Sequence, residues 1–126
     1  VSILHIIAPY MAVAAGSALG ALGRFALSVF LTRHCRTELP VGTLCVNIIG
    51  SFLIGALAAV GNLDSDGVTT AFLGHGLLGG FTTVSTFSIQ TLTHLQQGKG
   101  HLAIANIVLS VLSCLLAAWL GWTLFG

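Results

Sequence analysis

Four long apolar runs alternate with three short polar breaks along this 126-residue chain. The runs cover about residues 6–31, 41–60, 70–95 and 101–125. Each is close to the ~20 residues a helix needs to cross a bilayer core. The breaks read "TRHCRTELP" (32–40), "GNLDSDG" (61–67) and "QQGKG" (96–100), and they carry every Asp, Glu, Lys and Arg except Arg24. Barrel strands would alternate over about ten residues; these runs do not, so they predict helices. The pattern therefore predicts an all-α membrane protein of four transmembrane helices. Without repeats or linkers it reads as a single domain over residues 1–126, with both termini on one side.

The predicted helices have faces. Ala8, Ala12, Gly16, Gly20 and Arg24 recur every four residues in the first span. Thr43, Asn47, Ser51, Gly55 and Ala59 do so in the second, and Asn106, Ser110 and Cys114 in the fourth, with Ser113 alongside. A four-residue step stays on one side of a helix. Small residues in such rows let helices approach closely, and polar ones can bond across the contact. For a single Ser or Gly, packing alone is an equal reading, since hydroxyls also bond back to their own helix. Asn47 points instead to a polar cavity, because a helix interior cannot satisfy its amide.

Composition sharpens this picture. Hydrophobic residues make up 56% of the chain and charged residues 6%, against about 25% charged in soluble domains. A net charge of +1 gives no basic patch for nucleic acid. No Lys or Arg precedes Arg24, and the first apolar run exceeds the roughly 7–15 residues of a leader's core, so it is expected to be a span. Arg24 itself is costly inside a membrane. With no Asp or Glu in any span to pair with, its head is expected to snorkel or to face an anion. Cys35, Cys45 and Cys114 lack metal-ligand spacing and read as buried free thiols. His5, His34, His94 and His101 lie near span ends, whereas His75 lies deeper, with packing or pH sensing as its alternatives. Trp119 and Trp122 suit an interfacial belt. No nucleophile–base–acid set suggests an enzyme.

The stretch "GLLGGFTTVSTFS" (76–88) places glycines and a dense hydroxyl cluster in the third span. Gly79 and Gly80 before Thr82 and Thr83 suit a helix break at membrane depth, which is tolerated where it is buried in protein or lines a cavity. Such a break offers carbonyls to a cation and a helix N-terminus to an anion. A continuous helix using glycine for close packing is the other reading.

"GGFTTVSTFS" resembles the signature of the Fluc (CrcB) fluoride channels, of the form GGxTTFSTFS. "GALGRF" (20–25) is similar to that family's first-helix segment, and "VGTLCVNIIGSFLIG" (41–55) to its GTLxVNxxG second helix. The resemblance covers most of the chain. It implies a fluoride-selective passive channel in the bacterial inner membrane that relieves toxicity by letting trapped cytoplasmic fluoride leave. It implies an antiparallel, dual-topology dimer with two pores, and a third helix broken at mid-membrane. A structural sodium ion would sit at the centre, held by the backbone carbonyls of Gly79 and Thr82. The pore Asn falls at Asn47, the vestibule Thr at Thr43 and the first-helix Arg at Arg24. The polar track falls at Ser85 and Thr86, and the fourth-helix polar positions at Asn106 and Ser110. The two fluoride-facing Phe positions fall at Val84 and Phe87, so one ring is missing.

Two other classes compete with this reading. A small four-helix multidrug exporter would need a membrane-embedded acid, and no span contains one. A non-conducting partner subunit of a heterodimeric channel gains from Val84. It also gains from the placing of Arg33, Arg36 and Lys99 in the first and third breaks. Those charges bias both termini outward, whereas an antiparallel homodimer needs near-balanced bias. The homodimer is the expectation carried forward.

Overall fold

The computed structural model describes residues 2–61 and 67–126, and every regular element among the described residues is a helix. The centre of the second polar break, residues 62–66, lies outside the described residues. Helices α1 (Ile3–His34), α2 (Val41–Ala59) and α5 (Gly100–Phe125) are each long and apolar enough to cross a membrane. Their ends fall within three residues of those predicted. The third span is divided. Its first half, α3, runs without interruption through Val68–Thr70, a π-helical stretch Ala71–Leu78, and Gly79–Phe81. Residues 82–84 are not helical, and α4 (Ser85–Gln96) follows. Of the two readings left open by the glycines, the broken helix is the one observed.

Local chemistry sets the helix ends. Arg33 and His34 occupy the last turn of α1, where cations suit the carbonyl end. The Cys35 N–H closes α1 on the Leu31 carbonyl at 2.8 Å. Pro40 precedes α2, and its carbonyl accepts the Leu44 N–H at 3.0 Å. Between α4 and α5, Gly98 takes φ +75°. Its N–H bonds the Leu95 carbonyl (3.1 Å) and the Lys99 N–H bonds that of His94 (2.8 Å). This Schellman turn needs a left-handed residue at Gly98.

Packing pairs α1 with α3, and α2 with α5. Gly16 and Gly20 of α1 cross Gly76 and Gly80 of α3. A Cβ on Gly20 would strike the Leu77 carbonyl and the Phe81 amide, and one on Gly80 would strike the Ser17 backbone. A Cβ on Gly55 would likewise meet the Ala118 carbonyl, and one on Gly121 that of Phe52. Lipid gives no hydrophobic drive for helix pairing, so backbone approach of this kind supplies the contact. At the break the chain changes neighbours: α3 lies on α1, whereas α4 lies on α5. Outward side chains such as Leu22, Phe25, Leu112 and Leu115 are exposed, as are Trp119 and Trp122 in the last turns of α5.

The thiol reading needs correction. All three cysteines are free, but Cys35 is exposed and Cys45 and Cys114 are half-buried. Cys35 and Cys114 border clefts, which their sequence neighbourhoods do not reveal.

Candidate functional site

Three side chains build the break. Thr82 turns extended (φ −83°, ψ 159°), while its N–H and hydroxyl both reach the Leu78 carbonyl at 3.1 Å. Asn47 of α2 then grips the Thr83 peptide from both sides. Its Nδ2 donates to the Thr83 carbonyl, and its Oδ1 accepts the Thr83 N–H, each at 2.8 Å. The Thr83 hydroxyl caps α4 by accepting the Thr86 N–H at 3.2 Å. That hydroxyl also donates to the Thr86 hydroxyl (3.2 Å) and lies 3.3 Å from that of Ser85.

These bonds redirect the backbone. In a continuous helix the Thr83 N–H would close on the Gly79 carbonyl, and the Thr86 N–H on the Thr82 carbonyl. Here Asn47 takes the first N–H and the Thr83 hydroxyl takes the second. Gly79 and Thr82 thus lose their helical donors together. The carbonyl end of α3 and the N–H end of α4 meet at the break, so partial charges of opposite sign sit side by side.

Three clefts share lining residues around this point. The first, about 390 Å³, lies under the α1–α2 loop and reaches Gln90 and His94. The second, about 330 Å³, shares Thr32, Pro40 and Gln90 with it and descends past Arg24 and Thr43 to Thr83 and Thr86. The third, about 430 Å³, shares Thr83 and holds Asn47, Ser51, Gly79, Thr82 and Val84. Arg24 is half-buried and faces the second cleft together with Phe25. The one ion pair among the described residues lies elsewhere, between Lys99 and Glu38.

The predicted residues therefore divide. Arg24, Thr43, Thr86, Asn47, Val84, Gly79 and Thr82 gather around the clefts and the break. Ser85 is exposed beside them, and Phe87 is half-buried one turn on. Asn106 and Ser110 are buried between α4 and α5. The Ser110 hydroxyl donates to Asn106 Oδ1 (3.4 Å), Asn106 Nδ2 to the Thr91 hydroxyl (2.9 Å), and that hydroxyl to the Phe87 carbonyl (2.8 Å). This chain ties α5 to the backbone of Phe87.

Sequence reasoning placed Thr83 at the break but missed its hydroxyl as the cap of α4, a role that Thr commonly takes just ahead of a helix. It also missed Thr91, and Gln90, whose Oε1 is buried without a partner where the first two clefts join. His94, expected near an interface, is buried, with Nε2 3.0 Å from the Glu38 carbonyl. The loop folds over α4 and covers it.

A multi-pass helical membrane protein whose third span opens into a hydroxyl-lined break, reached by polar clefts, has the organisation of a protein that conducts small ions or solutes. Residues 11–122 match the family described as CrcB-like protein, Camphor Resistance (CrcB). The chain is 45% identical over 116 residues to a protein of Opitutus terrae named fluoride-specific ion channel FluC, covering 89% of this chain and 88% of that one. It is 46% identical over 110 residues to a protein of that name from Shewanella frigidimarina (86% and 89% covered). It is also 46% identical over 116 residues to one from Rhodospirillum rubrum (89% and 90%). The chain belongs to the CrcB (Fluc) family, a family of multi-pass ion channels and not of enzymes.

Proposed function

We propose that this chain is a passive fluoride channel, working as an antiparallel homodimer in a bacterial inner membrane. The observation that carries the reading is the break. One place offers freed carbonyls, the positive end of α4, and a cluster of hydroxyl and amide donors, reached by polar clefts. The relatives' names supply the ion.

Fluoride is small and strongly hydrated, so a pore must replace its water with close donors. Arg24 and Thr43 in the second cleft attract the anion and begin that exchange. The hydroxyls of Thr86 and Ser85 continue it, as does the Asn47 amide hydrogen that Thr83 does not use. Phe87 offers a ring edge, which is electropositive because the quadrupole is negative on the faces. Val84 forms an apolar wall. Asn106 and Ser110 hold Phe87 in place from α5. The membrane potential, negative inside, drives the anion outward, so no coupled proton or cation is needed.

The freed carbonyls of Gly79 and Thr82 fit a sodium ion, a hard cation that prefers oxygen donors. When bound it supplies a fixed positive charge at the centre of the dimer. Gly79 supports the dimer as well. It is exposed, and a Cβ there would meet only the Gly74 carbonyl of its own helix, at 3.8 Å. Packing within one chain does not call for glycine there; close approach by a second copy does.

The test is flux. Purified protein in liposomes should release fluoride far faster than chloride under matched gradients, and fluoride efflux no faster than from empty liposomes overturns the channel. The heterodimer reading is favoured by Val84 and by the one-sided Arg33, Arg36 and Lys99. Reporters on the C-terminus that are active on opposite sides of the membrane separate it from the homodimer: activity on one side only defeats the antiparallel homodimer.

A further inference from the structure

We propose that Asn47 is a positioning residue for the break, and that through it the anion path and the cation seat are coupled. This rests on the channel reading above and gives one of its residues a second task. The Asn47 amide exchanges two 2.8 Å hydrogen bonds with the N–H and carbonyl of a single residue, Thr83. Facing residues of an antiparallel sheet exchange bonds in the same way. A side chain thus takes the place of a neighbouring strand and satisfies a peptide that has left its helix. Unpaired, that peptide would be costly at membrane depth.

The grip has a direction. The Thr83 N–H has two available acceptors, the Gly79 carbonyl in a continuous helix and Asn47 Oδ1 in the broken one. By holding both groups of that peptide, Asn47 fixes the turn in which the Gly79 carbonyl stays open. Without the hold the Thr83 peptide is released to water and the carbonyls lose their fixed geometry, and a half hold leaves that geometry loose. Few side chains can do this. Asp accepts the N–H but, when ionised, cannot donate to the Thr83 carbonyl. Leu can do neither, and Gln carries an extra methylene. Asn47 lines the third cleft, as do Gly79 and Thr82, and its Nδ2 carries a second hydrogen beyond the one given to Thr83. One amide therefore borders the permeation path and also sets whether the carbonyls are free.

Two measurements on the full-length protein test this. The first is amide hydrogen exchange at Thr83 by NMR, in sodium-free buffer. Thr83 should be protected in the wild type and in Asn47→Asp, which keeps the acceptor. In Asn47→Leu it should exchange roughly fivefold faster or more, the loss of about one hydrogen bond. Equal protection in wild type and Asn47→Leu overturns the grip. The second is the rise in melting temperature when sodium replaces an organic cation of equal ionic strength. Wild type and Cys45→Ala should show the rise, and Asn47→Leu should lose it. A full sodium response in Asn47→Leu overturns the coupling. A wild type without any sodium response overturns the sodium seat and the coupling together. The exchange arm then still decides whether Asn47 holds the break, and the flux test decides whether the channel reading stands. If Asn47→Leu does not fold, Asn47→Asp carries both arms: unchanged Thr83 protection with a weakened sodium response is expected, and lost protection counts against the grip.

Discussion

The two halves of the third span are built from opposite materials. Residues 68–81 hold glycines that bring α3 against α1 backbone to backbone, and Gly76 and Gly80 have no room for a side chain. Residues 85–96 hold Ser85, Thr86, Ser88, Thr91 and Thr93; the hydroxyls of Thr91 and Thr93 bond back to carbonyls of their own half, and that of Ser88 to the Val84 carbonyl at the break. The first half is fixed by shape and the second by hydrogen bonds. In a bilayer both devices work without a hydrophobic drive. They fail differently, because a shape contact tolerates no added atom whereas a hydrogen-bonded one tolerates an isostere with the same polar group.

The largest effect should come from the glycine half. Gly20→Leu drives a side chain into the Leu77 carbonyl and the Phe81 amide. Overpacking typically costs about 1–3 kcal/mol, and here the obstacle is backbone that cannot rotate aside. The variant should be lost to aggregation or fail to elute as a single species on size exclusion. A well-folded, conducting Gly20→Leu would mean that α1 and α3 do not lie this close.

On the hydroxyl half, Phe87→Ile removes the one ring of the signature's second part. A cost of about 1.4 kcal/mol at the barrier is a tenfold loss of rate, within the range of an aromatic contact. Fluoride efflux should therefore fall roughly tenfold, while Val84→Ile changes little. Val84 is 75% exposed in the single chain, so Val84→Phe has room and should conduct. Equal rates for Phe87→Ile and wild type would leave the hydroxyls and Asn47 to carry selectivity.

Thr83 stands at the seam between the halves. Thr83→Val keeps the shape and the Asn47 bonds to the peptide but removes the cap on α4. Caps are worth about 0.5–2 kcal/mol, so the melting temperature should fall and efflux should drop severalfold. Thr83→Ser should restore both. If valine and serine behave alike, the hydroxyl is not holding the start of α4.

The seam also marks what the sequence could and could not reveal. Spans and loops were legible because apolar length and charge placement are local properties. The break was legible as one of two alternatives, since Gly79–Gly80 permits a break without requiring it. The partner of Asn47 was not legible, because the residues lie 36 apart and no periodicity links α2 to Thr83. The Asn106–Thr91 bond was hidden for the same reason. The π-helical turns of 71–78 have no composition signal. Thr83 was legible as part of the break, whereas its capping role was the avoidable omission, since Thr just ahead of a helix is a common cap.

The smallest effect belongs to the loops that frame the first cleft. Lys99 Nζ donates to Glu38 Oε1 at 2.8 Å, which ties the α1–α2 loop to the turn before α5. The hydrogen bond and charge of Lys99 lower the Glu38 carboxyl below its ordinary value of 4.5. A lowered folded value means that the pair contributes stability above the ordinary carboxylate range. That contribution is lost as pH falls through the lowered value. The carboxyl is fully exposed to solvent, so water and salt screen the pair. His94 still reaches the Glu38 carbonyl whatever the side chain, so Glu38→Gln should keep the loop in place. Wild type and Glu38→Gln should differ slightly in melting temperature at neutral pH and low salt. The gap should close below pH 4.5 and also in high salt. A gap that persists at low pH or in high salt would show that Glu38 contributes by packing and not by charge.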